Sequence, residues 1–227
     1  MSLQDKLEQM SDRADASGRA AFDKRSRELA KLIAAVLRDG KWGDLSAKTE
    51  RALQEAMEAT KDAATVLDAA ETVHVKVLTA KNSSVHDLRL KGDLRADQDQ
   101  IVEFFASMAN ERGCVYVAWC MRPERFLYVG KAGSAQRLKN LAGHGKLANA
   151  MANATQLSLI FPSQSTEKVL LEVEASVVAL VKHSTGSLPE NNEMEEGVPI
   201  CEAGKELNRL AGFLRKLGHD IYTEDVP

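Results

Sequence analysis

Between residues 113 and 192 the sequence collects the side chains best equipped to grip a phosphate or move a proton. Tyr116 and Tyr128 flank an expected reversal of the chain, and Val129, Gly130 and Lys131 follow the second tyrosine. Arg137 and Lys139 come next, then His144 between two glycines, Glu172 and Glu174 in an apolar stretch, and Asn191 and Asn192 after Pro189. Arginine offers a permanent planar fork for a non-bridging phosphate oxygen. A carboxylate in apolar surroundings needs a partner, a metal ion or an arginine. A tyrosine, with a free pKa near 10, serves as a base only where a cation depresses that value. His144 is a candidate proton relay. Asn191 or Asn192 would brace such a site by hydrogen bonds, and Gly130 would let the backbone turn tightly beside it.

These residues must be held by elements that the pattern of apolar residues outlines. Cys114–Cys120 reads as a strand by length and β-branched content, Met121–Arg125 as a turn and Phe126–Val129 as its partner. Ser134 is placed to cap a helix through Leu141, Gln156–Phe161 reads as a third strand, and Ser165 or Thr166 opens a helix to about His183. A loop from Gly186 to Gly197 and an amphipathic helix from Ala203 to Leu217 complete this part. Upstream, apolar stripes predict a helix from Leu3 to about Arg38, separable at Gly18, and a second reaching about Ala80 after the turn Asp39–Asp44. Residues 81–96 read as a polar connector and 96–111 as a further helix. A hairpin cannot make its strands parallel, so the sheet is expected to be small and mostly antiparallel. The expected architecture is α+β: a three-stranded sheet flanked by helices in residues 96–227, preceded by an all-helical hairpin in residues 1–95.

Composition narrows the class. Of 227 residues, 44% are hydrophobic and 5% aromatic, enough for a core built largely on packed helices. No apolar run spans a bilayer, the first residues lack a signal-peptide core, and three cysteines without paired spacing fit reduced thiols in a cytoplasmic protein. A disulfide scaffold, a zinc ribbon, a membrane protein and a disordered tail are excluded as main readings. The net charge of −3 is unevenly spread. Residues 101–150 carry 7 Lys and Arg against 3 Asp and Glu, the one net-basic block, where a polyanion would sit. Phosphate-loop, dinucleotide, zinc-protease and nucleophile-elbow motifs are all missing. His74 and His86 stand singly, in a helix and a loop.

The ordered set resembles the GIY-YIG nuclease family over roughly residues 113–192. Cys114-Val115-Tyr116 stands for the first motif, with cysteine in place of its first glycine, and Tyr128-Val129-Gly130 for the second. Arg137 on a helix, a third strand, a helical glutamate and Pro189-x-x-Asn192 follow in the family's order. The resemblance implies metal-dependent hydrolysis of a DNA phosphodiester bond, with Mg²⁺ or Mn²⁺, one ion per site. Glu174, which precedes Val177 and Val178 as the family's glutamate precedes its aliphatic pair, is implied as the metal ligand ahead of Glu172. The first tyrosine, Tyr116, is implied as base, with Tyr128 orienting water or phosphate and Arg137 and His144 assisting. Gly130, Lys131, Lys139 and Asn192 are assigned to the substrate side. Both phenols are expected to open onto one concave surface that Arg137 and Glu174 enter from two helices. DNA is the expected partner, with the N-terminal helices free to form a homodimer. The rival expectation is a non-cleaving nucleic-acid-binding or protein-interaction module on the same fold, and a third is a helical scaffold.

Overall fold

In the computed structural model, residues 1–38, 47–79, 83–108, 112–139 and 145–192 are described. The elements are α1 (Leu3–Arg38), α2 (Ala47–Glu71), a π-helical segment (Thr72–Leu78), β1 (Ser84–Arg89), α3 (Leu94–Ala106), β2 (Cys114–Cys120), β3 (Arg125–Ala132), α4 (Ala135–Leu138), α5 (Gly145–Met151), β4 (Gln156–Phe161) and α6 (Glu167–Thr185). The chain is α+β, with a helix-rich N-terminal part and one antiparallel sheet in the order β1-β4-β2-β3. It divides into two compact units. One comprises Met1–Asp15 and Val66–Met194; the described residues of the other are within Ala16–Thr65. In this second unit Leu29, Ile33 and Leu53 form a small core.

The first unit holds the sheet. β2 is buried along its whole length because both neighbours and both faces are covered, which explains its unbroken apolar run Cys-Val-Tyr-Val-Ala-Trp-Cys. One face packs Val115, Val117, Trp119 and Val129 against Leu170, Val173 and Val177 of α6 and Leu7 and Met10 of α1. The other face packs Cys114, Tyr116, Ala118 and Leu127 against Ile101 and Phe105 of α3, Leu138 of α4 and Leu147 and Met151 of α5.

Several expectations are corrected. The sheet has four strands where three were expected, because β1 lies in the segment read as a connector. Its sequence Ser-Val-His-Asp-Leu-Arg shows no apolar alternation, since β1 is a half-exposed edge strand held by its ladder to β4. Asp87 on that strand accepts from Leu3 N at 3.1 Å and from Ser158 Oγ at 2.5 Å, so a polar residue there ties α1 to the sheet. α1 is continuous through Gly18. α2 passes at Thr72 into the π-helical segment and does not remain α-helical to residue 80. The helix expected through Leu141 ends at Leu138, and α5 was not anticipated. α3 starts earlier than expected, at Leu94, because Asp93 caps it by accepting from Ala96 N. The turn at 39–44, His144 and the helix at 203–217 lie outside the described residues. No helix among the described residues is long and apolar enough to cross a membrane.

Trp119 Nε1 donates to Ser158 Oγ at 2.8 Å, and both residues are fully buried. Ser158→Ala would leave that indole N–H without its acceptor. A loss of about 1–3 kcal/mol is expected, read from urea unfolding followed by tryptophan fluorescence. An unchanged midpoint would show that another acceptor takes over.

Candidate active site

The site is built outward from a close approach in the middle of the sheet. Tyr116 of β2 lies opposite Gly130 of β3. Its ring covers that glycine so closely that a Cβ at residue 130 would stand 2.6 Å from Tyr116 Oη, 2.7 Å from Cζ and 2.8 Å from Cε2. No side chain fits there, which is why the tyrosine of one strand requires a glycine on the next. Tyr128 lies two residues before Gly130 and opposite Ala118, so it is the diagonal neighbour of Tyr116 on the same face. The two rings are 6.0 Å apart between centroids and inclined at 51°. The phenols therefore share a face, as expected, but do not both open onto a surface. Tyr116 is 1% exposed, whereas Tyr128 is half-buried.

Burial decides the acid–base character of Tyr116. Desolvation pushes its pKa well above the ordinary phenol value, and the neighbouring Tyr128 and the Glu174 carboxylate push in the same direction. Arg137 pulls the value down and is outweighed. The nearby Tyr128 hydroxyl further favours the protonated form. The cation that a tyrosine base requires is thus present, yet Tyr116 keeps its proton. Cys114, on the same strand, is likewise pushed up to about 12 by burial.

Arg137 comes from α4, a single turn anchored by the buried Ala135 and Leu138, and is itself exposed. Glu174 comes from α6. Thr166 caps that helix by accepting from Val169 N, and Gly186 ends it in the left-handed conformation at φ 75°. At about 100° per residue, Glu167 and Glu174 lie about 60° and about 40° round the axis from the buried Leu170, on one flank, and Glu172 lies about 160° away. The two carboxylates are accordingly separated. Glu172 pairs with Lys76 of the π-helical segment, which holds its pKa below the usual carboxylate range. Glu167 pairs with Lys131 of β3. From that pair α6 runs back along β3 towards Glu190, whose N–H donates to Phe126 O at 3.1 Å. Glu174 follows Glu167 by two helical turns, about 10.5 Å, on this flank, and its carboxylate is close enough to act on the Tyr116 phenol.

The free edge of β3 is closed by the segment after α6. Asn191 N donates to Leu127 O at 2.9 Å. The Asn192 side chain makes a two-way clamp on Val129: Oδ1 accepts from Val129 N at 2.9 Å and Nδ2 donates to Val129 O at 2.8 Å. Asn192 thus acts as a stretch of strand beside the glycine that carries Tyr116, a bracing role, with its amide occupied by protein. Lys131 is likewise committed, its side chain 16% exposed against Glu167. Lys139 sits half-buried just past α4.

Four expected residues, Tyr116, Tyr128, Arg137 and Glu174, are therefore brought together from four elements, while Glu172 faces elsewhere. Glu167 was missed. Its only signal was its place one helical row from Glu174, seven residues before it. Among the described residues no three His, Cys, Asp or Glu form a ligand cluster. One half-buried carboxylate beside an exposed arginine still suits a Mg²⁺ that keeps most of its waters and takes phosphate oxygens as further ligands. Compared with protein-family models, with curated proteins and with solved structures, the chain matches none.

Gly130→Ala should destabilise the protein by roughly 1–3 kcal/mol, through overpacking against Tyr116. Because ring carbons also lie within 2.8 Å of the added methyl, Tyr116→Phe should not relieve the loss. Urea midpoints of the single and double variants check both statements.

The raised Tyr116 pKa sets a pH dependence. Above about pH 10 the unfolded phenol loses its proton while the folded one retains it, so the unfolded state binds fewer protons and stability falls as pH rises. The contribution is complete below about pH 10 and is lost on the way up to the folded pKa. The stability advantage of wild type over Tyr116→Phe should be constant at neutral pH and shrink above about pH 10. A gap that widens there would contradict the burial of this phenol.

Proposed function

We propose that the chain is a metal-dependent endonuclease that hydrolyses DNA phosphodiester bonds at this site. The observation that carries the reading is the pairing of Tyr116 and Tyr128 on one face of the sheet, with the Arg137 and Glu174 charges close enough to act on the Tyr116 phenol. Arg137 would hold a non-bridging oxygen of the scissile phosphate in its planar fork and neutralise charge that grows there during attack by water. Glu174 would hold a single Mg²⁺ or Mn²⁺. Such an ion, when bound, polarises the phosphate and lowers the pKa of coordinated water. Tyr116, protonated at neutral pH, backs the Tyr128 ring from the core side. Asn192 and Gly130 keep β3 in place beneath the two rings, and the Lys131–Glu167 pair ties α6 to that strand.

DNA is the proposed partner because Arg137 and Lys139 lie in the net-basic block of the sequence. A homodimer through the N-terminal helices would give two sites for a double-strand cut. Cys114 and Cys120 are buried free thiols, in keeping with a cytoplasmic protein.

The test compares binding with cutting. Glu174→Gln removes one charge at nearly constant shape and should abolish nicking of a supercoiled plasmid in Mg²⁺ while leaving the gel shift in EDTA unchanged. Arg137→Lys keeps the charge, loses the fork, and should slow nicking on the order of 10²-fold. Wild-type rates in both variants would remove these residues from the chemistry. Gel shifts without nicking in the wild type would favour the non-cleaving module.

A further inference from the structure

Two tyrosines share one face here, and their surroundings are unequal. Tyr116 is 1% exposed, with its ring laid over Gly130 and packed among Cys114, Ala118, Leu127 and Leu159. Tyr128 is half-buried, at the rim of the same cluster. Their rings are 6.0 Å apart between centroids. A phosphate or an attacking water entering from solvent meets the outer phenol first. To reach the inner one it would have to displace either Tyr128 or the strand segment at Val129 and Gly130, which Asn192 clamps from its free edge.

We infer, on the reading of this site as a nuclease centre, that Tyr128 is the catalytic tyrosine, the phenol that touches the substrate, and that Tyr116 is a positioning residue that never meets it. Tyr116 backs the Tyr128 ring from the core side. It has no freedom to turn, because β3 lies against its ring. Tyr128 keeps an open side, and the Arg137 and Glu174 charges that a phosphate requires act on the phenol directly behind it. This assigns the tyrosine roles in the reverse of the order that the motif resemblance implies.

Each residue then predicts its own kinetic signature. Tyr128→Phe removes a contact to the reacting groups and should lower kcat about 10²-fold, as loss of one transition-state hydrogen bond does. Tyr116→Phe retains the ring that backs Tyr128 and loses only a buried hydroxyl. It should lower kcat within about 10-fold and leave KM unchanged. The larger loss falling on Tyr116→Phe would overturn the assignment.

A second readout does not depend on cleavage. Tetranitromethane should nitrate Tyr128 well before Tyr116 in the intact chain, as read by peptide mapping, and a saturating DNA duplex in EDTA should protect Tyr128. Nitration of Tyr116 first, or an unprotected Tyr128 in the bound complex, would overturn the inference. If the wild type binds and shows this protection but nicks nothing, the nuclease reading fails while the contact assignment stands. If it nicks and Tyr128 stays unprotected, the assignment fails and the nuclease reading stands.

Discussion

The contact between the Tyr116 ring and the bare Cα of Gly130 is the constraint on which the site depends. It forces a glycine into the middle of a strand, where glycine is otherwise unfavourable, and it brings β2 and β3 together around a polar atom buried in the sheet. A phenol in that position is costly to ionise, so it keeps its proton, and its ring backs that of Tyr128. The outer tyrosine is thereby held at the boundary between core and solvent.

β3 is an edge strand, and an edge strand carrying an unsubstituted residue needs support. Asn192 provides it by pairing both backbone groups of Val129, and Asn191 and Glu190 extend the pairing to Leu127 and Phe126. On the same strand Lys131 reaches Glu167, and on its far flank α6 is held by Lys76 through Glu172. Solvent screening leaves pairs of this kind little net stabilisation. Their greater effect is on rotation about the helix axis, because they grip opposite sides of α6 while Leu170, Val173 and Val177 anchor it to the sheet. That rotation decides that Glu174, and not Glu172, is presented towards the tyrosines.

Much of this was legible in the sequence because the strongest signals are local. The unbroken run of β2 and the apolar stripe of α6 each specify their element without tertiary help. β1 was illegible because its polar residues are used individually: Asp87 serves Ser158 and the first turn of α1, contacts that link residues 71 and 84 positions apart. The facing of Glu172 and Glu174 follows from helical geometry once α6 is placed against β3, and the choice between them needed Lys76 and Lys131 as reference points. The burial of Tyr116 was also hidden. Alternation predicts which face a strand residue shares, but the depth of a side chain depends on α3, α4 and α5 closing over it.

Whether this cluster cuts a phosphodiester bond is decided by conversion of supercoiled to open-circular plasmid by the purified wild-type chain across a Mg²⁺ titration. Product should be absent in EDTA and rise with Mg²⁺ to saturation, as expected for one ion per site. No conversion at any Mg²⁺ or Mn²⁺ concentration, under conditions where the chain demonstrably binds the plasmid, would contradict it.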